Sequence, residues 1–278
     1  QRFMTINTLL RKVNQNKKFN INTYDFFKPT FNVKLAESRG EIKLAQKLRY
    51  KVFFSERIKN PILNIGNFRR DSDKFDNYAD HIIVTHRKSK FSKTKVIGTY
   101  RLLKQSVAEK KSGFYSCDEF NLENLLNSRI YNNMLELSRS CISQKFRNKN
   151  VLQLMWKEIH HYINKNNIDA LFGTASFLST NVSKIEDQLI YLNHHHKMPD
   201  NITVSALPKY RVNIDYQKKI NLNIRLFAKL PTLIKAYLKF NASIGTGAVI
   251  DNKFKTTDVF IFLPIEKINK EYVNKILD

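Results

Sequence analysis

Val96-Ile-Gly-Thr-Tyr-Arg-Leu-Leu103 is a β-prone run held between Lys95 and Lys104, and its composition predicts a sheet strand. Two similar runs lie nearby, over residues 81–86 and 135–142. Each is flanked by charged or turn residues, and two of them carry charge inside, at Arg101, Glu136 and Arg139. On a strand, residues 99, 101 and 103 share one face. In Glu136-Leu-Ser-Arg-Ser-Cys141, Glu136 and Arg139 fall on opposite faces unless a bulge intervenes. Buried arginines and carboxylates must find partners, so these strands predict a polar network inside or beside a cleft. A salt-bridge network with a purely structural role is the plainer alternative.

Upstream, Ser38-Arg-Gly-Glu41 has the spacing of a capping box, with Ser38 accepting from the Glu41 amide. Ile42, Ala45, Leu48, Arg49, Val52 and Phe53 then recur at helical spacing to about residue 55. Residues 60–79 read as a loop rich in Asn and Asp. Downstream of the third strand, Val151, Leu152, Met155, Trp156, Ile159 and Tyr162 mark a second amphipathic helix. A strand over 170–177 and a helix over 181–192 follow, then an irregular stretch over 193–220. The segment 222–227, a helix near 231–240 and a strand over 259–263 close the chain. Strands alternating with helices predict an α/β fold with a central mixed, twisted sheet flanked by helices. The expected organisation is a basic extension over residues 1–30, then one domain over 31–278.

The 48 Lys and Arg against 24 Asp and Glu leave a net charge of +24 in 278 residues. This excess suits an acidic protein, anionic lipid or nucleic acid equally, and Lys- and Asn-heavy usage spread over the surface explains it without any partner. Nucleic-acid binding leaves the carboxylates among the strands unexplained, because phosphate contacts want Lys and Arg alone; no nucleic-acid partner is expected. Two cysteines suit a reducing compartment, the first residues lack the apolar core of a signal peptide, and no run is long enough to span a bilayer. A cytoplasmic location follows as the expectation.

Several motifs share a pattern. Arg49-Tyr-Lys-Val-Phe53, Asp73-x-x-Asp76, Arg101-Leu-Leu and Glu136-x-x-Arg139 resemble the signature of acyl-homoserine-lactone synthases. A sister family is more similar still, the ornithine–acyl-carrier-protein N-acyltransferases, often labelled hemolysin-like. That resemblance runs in order through Leu44–Phe54, Phe75-Asp-x-x-x-Asp-His81 and Val96–Leu103. It continues through Gly113-Phe-Tyr-Ser116 with Glu119-Phe120, Glu136-Leu-x-Arg-Ser-Cys141 and Gly173-x-Ala-Ser-Phe177. Leu230-Pro-x-Leu-x-Lys-x-Tyr237, and Asp251 with Thr257-Asp-Val259, complete it.

The resemblance implies a GNAT-like acyl-CoA N-acyltransferase fold and transfer of a (3-hydroxy)fatty acyl group from acyl carrier protein to the α-amine of ornithine. The co-substrate is then the carrier's acyl-phosphopantetheine, with no permanently bound cofactor and no metal. Such chemistry needs a base and a carboxylate for the ammonium, since a free α-amine is largely charged at neutral pH. Glu136 is the expected base or water-holder, with Asp76 and Asp73 binding the acceptor. Arg101 and Arg139 order these groups, and Arg49 supports them from the helix. Phe53, Asp80 and His81 complete the expected acceptor site, and a backbone N–H near Ser140 and Cys141 meets the thioester oxyanion. The loop Ser143-Gln-Lys-Phe-Arg-Asn-Lys-Asn150 contains no glycine, which does not suit a pyrophosphate cradle. Lys145, Arg147 and Lys149 instead suit a single phosphate or the acidic carrier protein.

Other residues carry less. His194-His-His196 invites a metal, but adjacent histidines on a strand or loop diverge and have no accompanying ligand cluster. His160 and His161 read as helix-surface residues, Cys141 as packing, and Gly245-Thr-Gly247 as too short for a nucleotide loop. Residues 226–240 mix apolar positions with Lys229, Lys235 and Lys239. A core helix with a basic outer face is the first expectation; peripheral contact with the anionic inner face of the cytoplasmic membrane is the second, with the basic arm at residues 2–18 as another contact. The rival functions are a homoserine-lactone synthase, an N-acyltransferase for another amino acid, and a basic membrane- or nucleic-acid-binding module.

Overall fold

The computed structural model describes residues 29–56, 69–147, 149–220 and 224–277. The basic arm, most of the 1–30 extension, the first part of the 60–79 loop and the start of the 222–227 segment lie outside the described residues. The chain divides into a small unit, Gln1–Asn32 with Thr85–Lys95, and a large one, Val33–Val84 with Val96–Asp278. In the small unit Thr85 Oγ1 donates to the Asn32 carbonyl and Arg87 to Thr94 Oγ1.

The strands are β1 (Thr30–Leu35), β2 (Asp80–Arg87), β3 (Lys95–Lys104), β4 (Phe120–Asn121), β5 (Met134–Ile142), β6 (Ala170–Phe177), β7 (Ser205–Ala206), β8 (Ser243–Asp251) and β9 (Thr256–Pro264). Their order in the sheet is β1-β2-β3-β5-β6-β9-β8-β7-β4. β5 and β6 run parallel while β3–β5, β6–β9 and β8–β9 are antiparallel, so the sheet is mixed as expected. α1 (Arg39–Tyr50) begins at the predicted cap, with Ser38 Oγ accepting from Glu41 N at 3.2 Å and Glu41 Oε2 accepting from Glu37 N at 2.8 Å. It continues as a wider turn over Lys51–Ser55. Between β3 and β5 lies the polar insertion, with α2 (Gln105–Ala108), a 3-10 turn over Tyr115–Asp118, and α3 (Glu123–Asn127).

The sheet separates two apolar layers. Val259, Ile261 and Leu263 of β9 face α4 (Lys149–Asn166) and α5 (Glu186–His196). Phe260 and Phe262 face the insertion, packing with Phe114, Phe120 and Phe172. This period of two makes one strand serve two cores. α7 (Thr232–Lys239), after the short α6 (Ile224–Lys229), buries Ile234, Ala236, Tyr237 and Leu238 in the first layer, and Tyr237 bonds the Tyr100 hydroxyl at 2.7 Å. The 226–240 segment is thus a core element with lysines outside, interrupted at Pro231. No helix among the described residues is long and apolar enough to cross a membrane.

Several expectations change. β1 and β8 were not anticipated, nor was α8 (Lys270–Leu277). Residues 224–227 are helical. The three histidines occupy the last turn of α5 rather than a strand or loop, and 193–196 leave the irregular stretch for the same reason. Gly245-Thr-Gly247 lies inside β8.

Candidate active site

β5 builds the site through two irregularities. Its pairing with β3 slips between Thr99↔Cys141 and Arg101↔Ser138, so β5 spends one residue more than β3. Arg139 is at that slip with φ of 54°, the left-handed conformation a bulge demands. The bulge turns Arg139 toward the same carboxylate as Arg101, resolving the face problem posed by Glu136 and Arg139. The second irregularity is the partner strand. The β5–β6 ladder covers only Met134–Glu136 against Ala170–Phe172. Beyond it, a Cβ on Gly173 would sit 2.1 Å from the Leu137 carbonyl oxygen, so glycine alone permits the strands to pass there. On the insertion-facing side of β6, Phe172 is sealed while Thr174 and Ser176 are half-buried, and the sheet opens from this point.

The charged residues converge beside that opening. Arg49, wholly buried on α1, donates Nη1 and Nη2 to the two oxygens of Asp76 at 2.7 Å each, and Nε to Asp71 Oδ2 at 2.9 Å. Arg101 donates Nη1 to Asp73 Oδ1 at 2.5 Å and Asp76 Oδ1 at 3.1 Å, and Nε to Ser138 Oγ at 3.0 Å. Arg139 donates Nη2 to Asp73 Oδ2 at 3.0 Å, and its Nε lies 3.2 Å from Asp71 Oδ2. Three arginines therefore face three aspartates. Asp73 also caps the Lys74–Asn77 turn, fixing the carboxylate spacing. Burial would raise the Asp76 pKa, but the hydrogen bonds and charge of Arg49, with Arg101, outweigh it and hold the carboxyl well below its usual range. His81 is buried 3.4 Å from the Asp76 carbonyl, and burial lowers its pKa against the nearby Asp76 charge.

Glu136 lies on the same face but has partners of its own. Its Oε2 accepts from Tyr115 N at 2.9 Å, and its Oε1 from Ser116 N and Oγ at 2.6 Å each. Burial raises its pKa against these bonds. Glu136 thus ties the Tyr115–Ser116 turn to the sheet, and Tyr115 is brought over Arg139, whose guanidinium lies 4.5 Å from the Tyr115 ring and 4.6 Å from that of Phe254. Among the arginines of the network, Arg101 Nη2 is buried without a hydrogen-bond partner, and Arg139 Nε meets Asp71 as an ion pair outside hydrogen-bond geometry.

Residues 48–157 match the acetyltransferase (GNAT) domain family. L-ornithine N(alpha)-acyltransferase of Brucella abortus (strain 2308) is 39% identical over 248 residues, 88% of each chain. The protein of that name from Rhizobium meliloti (strain 1021) is 38% identical, over 87% of this chain and 82% of its own. This chain belongs to the L-ornithine N(alpha)-acyltransferase family. Among solved structures, the CoA-dependent acyl-homoserine lactone synthase BjaI matches with a TM-score of 0.46 and 11% identity, over 89% of this chain and 88% of that one.

For an acyltransferase of this family, the other expected residues have varied placements. Asp80 stands apart from the network and accepts from the Tyr162 hydroxyl of α4. Phe53 packs with Leu48, Val52, Cys141 and Phe254 behind Arg139. Burial pushes the Cys141 thiol up to about 12, which suits packing and not attack. Ser140 is half-buried beside the bulge. In the loop after β5, Arg147 is engaged by Glu56 and the Ile142 carbonyl, Lys145 is exposed, and the Lys149 side chain lies outside the described residues. Asp76, expected to bind the acceptor, already serves Arg49, Arg101 and Gln46; its oxygens are taken. A cavity of about 610 Å³ beneath the insertion is lined by Gln105, Ala108, Phe114, Cys117 and Leu126 among others, and no residue of the network borders it. Sequence reasoning missed Asp71, which bridges Arg49 and Arg139, and Ser116, which holds Glu136.

Proposed function

We propose that this chain transfers a fatty acyl group from the phosphopantetheine thioester of acyl carrier protein to the α-amine of ornithine. The observation that carries the reading is Arg101 Nη2, a buried guanidinium donor with no hydrogen-bond partner, beside Arg139, whose Nε meets Asp71 Oδ2 as an ion pair outside hydrogen-bond geometry. Buried donors are almost always bonded, and guanidinium N–H groups suit the carboxylate of an amino acid. The ornithine in the names of the relatives agrees with it.

Glu136 acts as the base. Its burial raises its proton affinity, and the buried Ser116 hydroxyl, 2.6 Å away, donates to its Oε1. The acceptor ammonium gives up a proton and its nitrogen attacks the thioester carbonyl carbon. The tetrahedral adduct then collapses as its nitrogen loses a second proton and the C–S bond breaks; the thiolate takes up one of the two protons and the other leaves to solvent. Asp73, the most exposed aspartate of the network at 18% of its side chain, orients the arginines at the acceptor carboxylate; Asp76 and Arg49 are positioning residues. The glycine-free loop after β5 favours a donor with one phosphate over coenzyme A, with Lys145 reaching the acidic carrier. A peripheral position on the inner face of the membrane suits the lipid product.

The test is to supply 3-hydroxyacyl carrier protein or the matching acyl-CoA with a panel of amino acids and to weigh the products. Acyl-ornithine formed from the carrier-protein donor is expected. No ornithine product, or a product from coenzyme A alone, would overturn the acceptor or the donor half of the reading respectively.

A further inference from the structure

Glu119, Asp251 and Asp258 take no part in the arginine–aspartate network, yet one oxygen of each lies within 4.8 Å of the others. They arrive from three places. Glu119 follows the Tyr115–Asp118 turn, Asp251 ends β8, and Asp258 sits inside β9 opposite Ser176 of β6 and Val249 of β8. By strand alternation Asp258 shares the insertion-facing side with Phe260 and Phe262. That is the face of Glu136 and Arg101 as well.

The cluster does not satisfy itself. Asp258 is 5% exposed and its Oδ1 has no hydrogen-bond partner; Glu119 Oε2 is also buried and unpartnered. Asp251 spends Oδ1 on the Lys253 and Phe254 amides, which leaves its other oxygen. Burial, then repulsion from the neighbouring carboxylates, raises the pKa of Glu119; burial, with Asp251, does the same to Asp258 against hydrogen bonds from Thr256 and Ser176. Arg139 acts favourably on both, but its guanidinium is held by Asp73, Asp71 and two ring faces. Tyr115 and Arg139 border the cluster. Acceptors left without partners thus lie on the same face of the sheet as the unpartnered Arg101 Nη2, the arrangement that matches a carboxylate and a second ammonium on one small molecule.

We propose that Glu119, Asp251 and Asp258 form the subsite for the side-chain ammonium of a diamino-acid acceptor, and so select acceptors with a cationic side chain. This rests on the acyl-transfer reading above. The half-buried Glu119 and Asp251 admit the ligand, and Asp258 forms the floor.

Two acceptors separate the claims: L-ornithine, and L-norvaline, which has the same carbon chain without the terminal amine. With acyl carrier protein as donor, kcat/KM for each is measured in the wild type, Asp258→Asn and Glu119→Gln, and binding of both amino acids is followed by calorimetry. Each variant removes a charge-assisted contact, so the ornithine/norvaline ratio is expected to fall about 10–100-fold, chiefly through KM. Calorimetric affinity for ornithine falls alongside. An unchanged ratio in both folded variants overturns the subsite and leaves ornithine acylation standing; should Asp258→Asn unfold, Glu119→Gln carries the test alone. If the wild type acylates neither acid, the transfer reading fails and calorimetry decides by itself. Ornithine binding that weakens in the variants then keeps the subsite, and no ornithine binding ends it. Titration with Ca²⁺ and Mg²⁺ alone is the remaining arm: tight binding lost in both variants would assign the cluster to a metal and overturn the proposal.

Discussion

Replacing Asp71 with Asn removes one charge from a site where three arginines and three aspartates cancel. Asp71 is 3% exposed, so water does not compensate. The change deprives Arg49 Nε of its carboxylate at 2.9 Å and Arg139 Nε of the same oxygen at 3.2 Å. Breaking a buried pair by deleting one partner costs about 3–5 kcal/mol. The Asp71 backbone carbonyl still accepts from Arg49 Nη2, and Asp73 and Asp76 still hold all three arginines, so the lower end, about 3 kcal/mol, is expected. At about 2–4 °C per kcal/mol, the melting temperature should drop by about 6–12 °C. Urea unfolding monitored by the single tryptophan, Trp156, measures the loss. Arg139→Met in the Asp71→Asn background restores neutrality, so the double variant should be less destabilised than the sum of the singles by about 0.5–3 kcal/mol. A loss under about 1 kcal/mol for Asp71→Asn, or strict additivity with Arg139→Met, would refute the claim that these charges act as one balanced unit.

Three further outcomes follow from the site. Gly173→Ala forces a Cβ onto the Leu137 carbonyl oxygen; it should cost at least the 1–3 kcal/mol of ordinary overpacking and reduce acyl transfer, and a variant as stable as wild type by urea titration would show that the strands separate freely. Ser116→Ala removes a hydrogen bond that favours the Glu136 carboxylate, so the acid limb of the kcat profile should move to higher pH, and an unmoved limb would exclude Glu136 as the titrating base. Glu119 and Asp258 have raised pKa values, so the folded state holds protons that the unfolded chain releases near pH 4. Their contribution to stability therefore falls as pH rises above that point; with Asp251, Asp118, Arg139 and Tyr115 as the surrounding charged and titratable groups, Glu119→Gln should be less stable at pH 8 than at pH 5 by a smaller margin than wild type, as denaturant titration at the two values would record.

The strands that carry the site were legible because their apolar alternation is interrupted by charge at few positions. Arg101 and Glu136 stand out in β3 and β5 for that reason, and Ser38 announced α1 through its spacing to Glu41. β8 escaped because Gly245 and Gly247 weaken a strand pattern, and β1 because its alternating Phe31, Val33 and Leu35 adjoin a basic segment. Asp71 follows Arg69 and Arg70 in an Asn- and Asp-rich loop, where a carboxylate is ordinarily solvated; only folding brings it against Arg49 and Arg139. Sequence gave the condition for Arg139, a bulge, but not its position. Asp258 did carry a signal, a carboxylate opening the apolar run Val-Phe-Ile-Phe-Leu, yet Glu119 lies far upstream and reaches it through the chain's route over the insertion.

Because the interior arginines and aspartates neutralise one another, the chain's +24 belongs almost wholly to other residues. The far field of that surface charge is thereby uncoupled from the near field among the interior ion pairs. Dissolved ions screen the first within about 10 Å at 0.1 M and hardly touch the second, so the two answer to different properties of the medium.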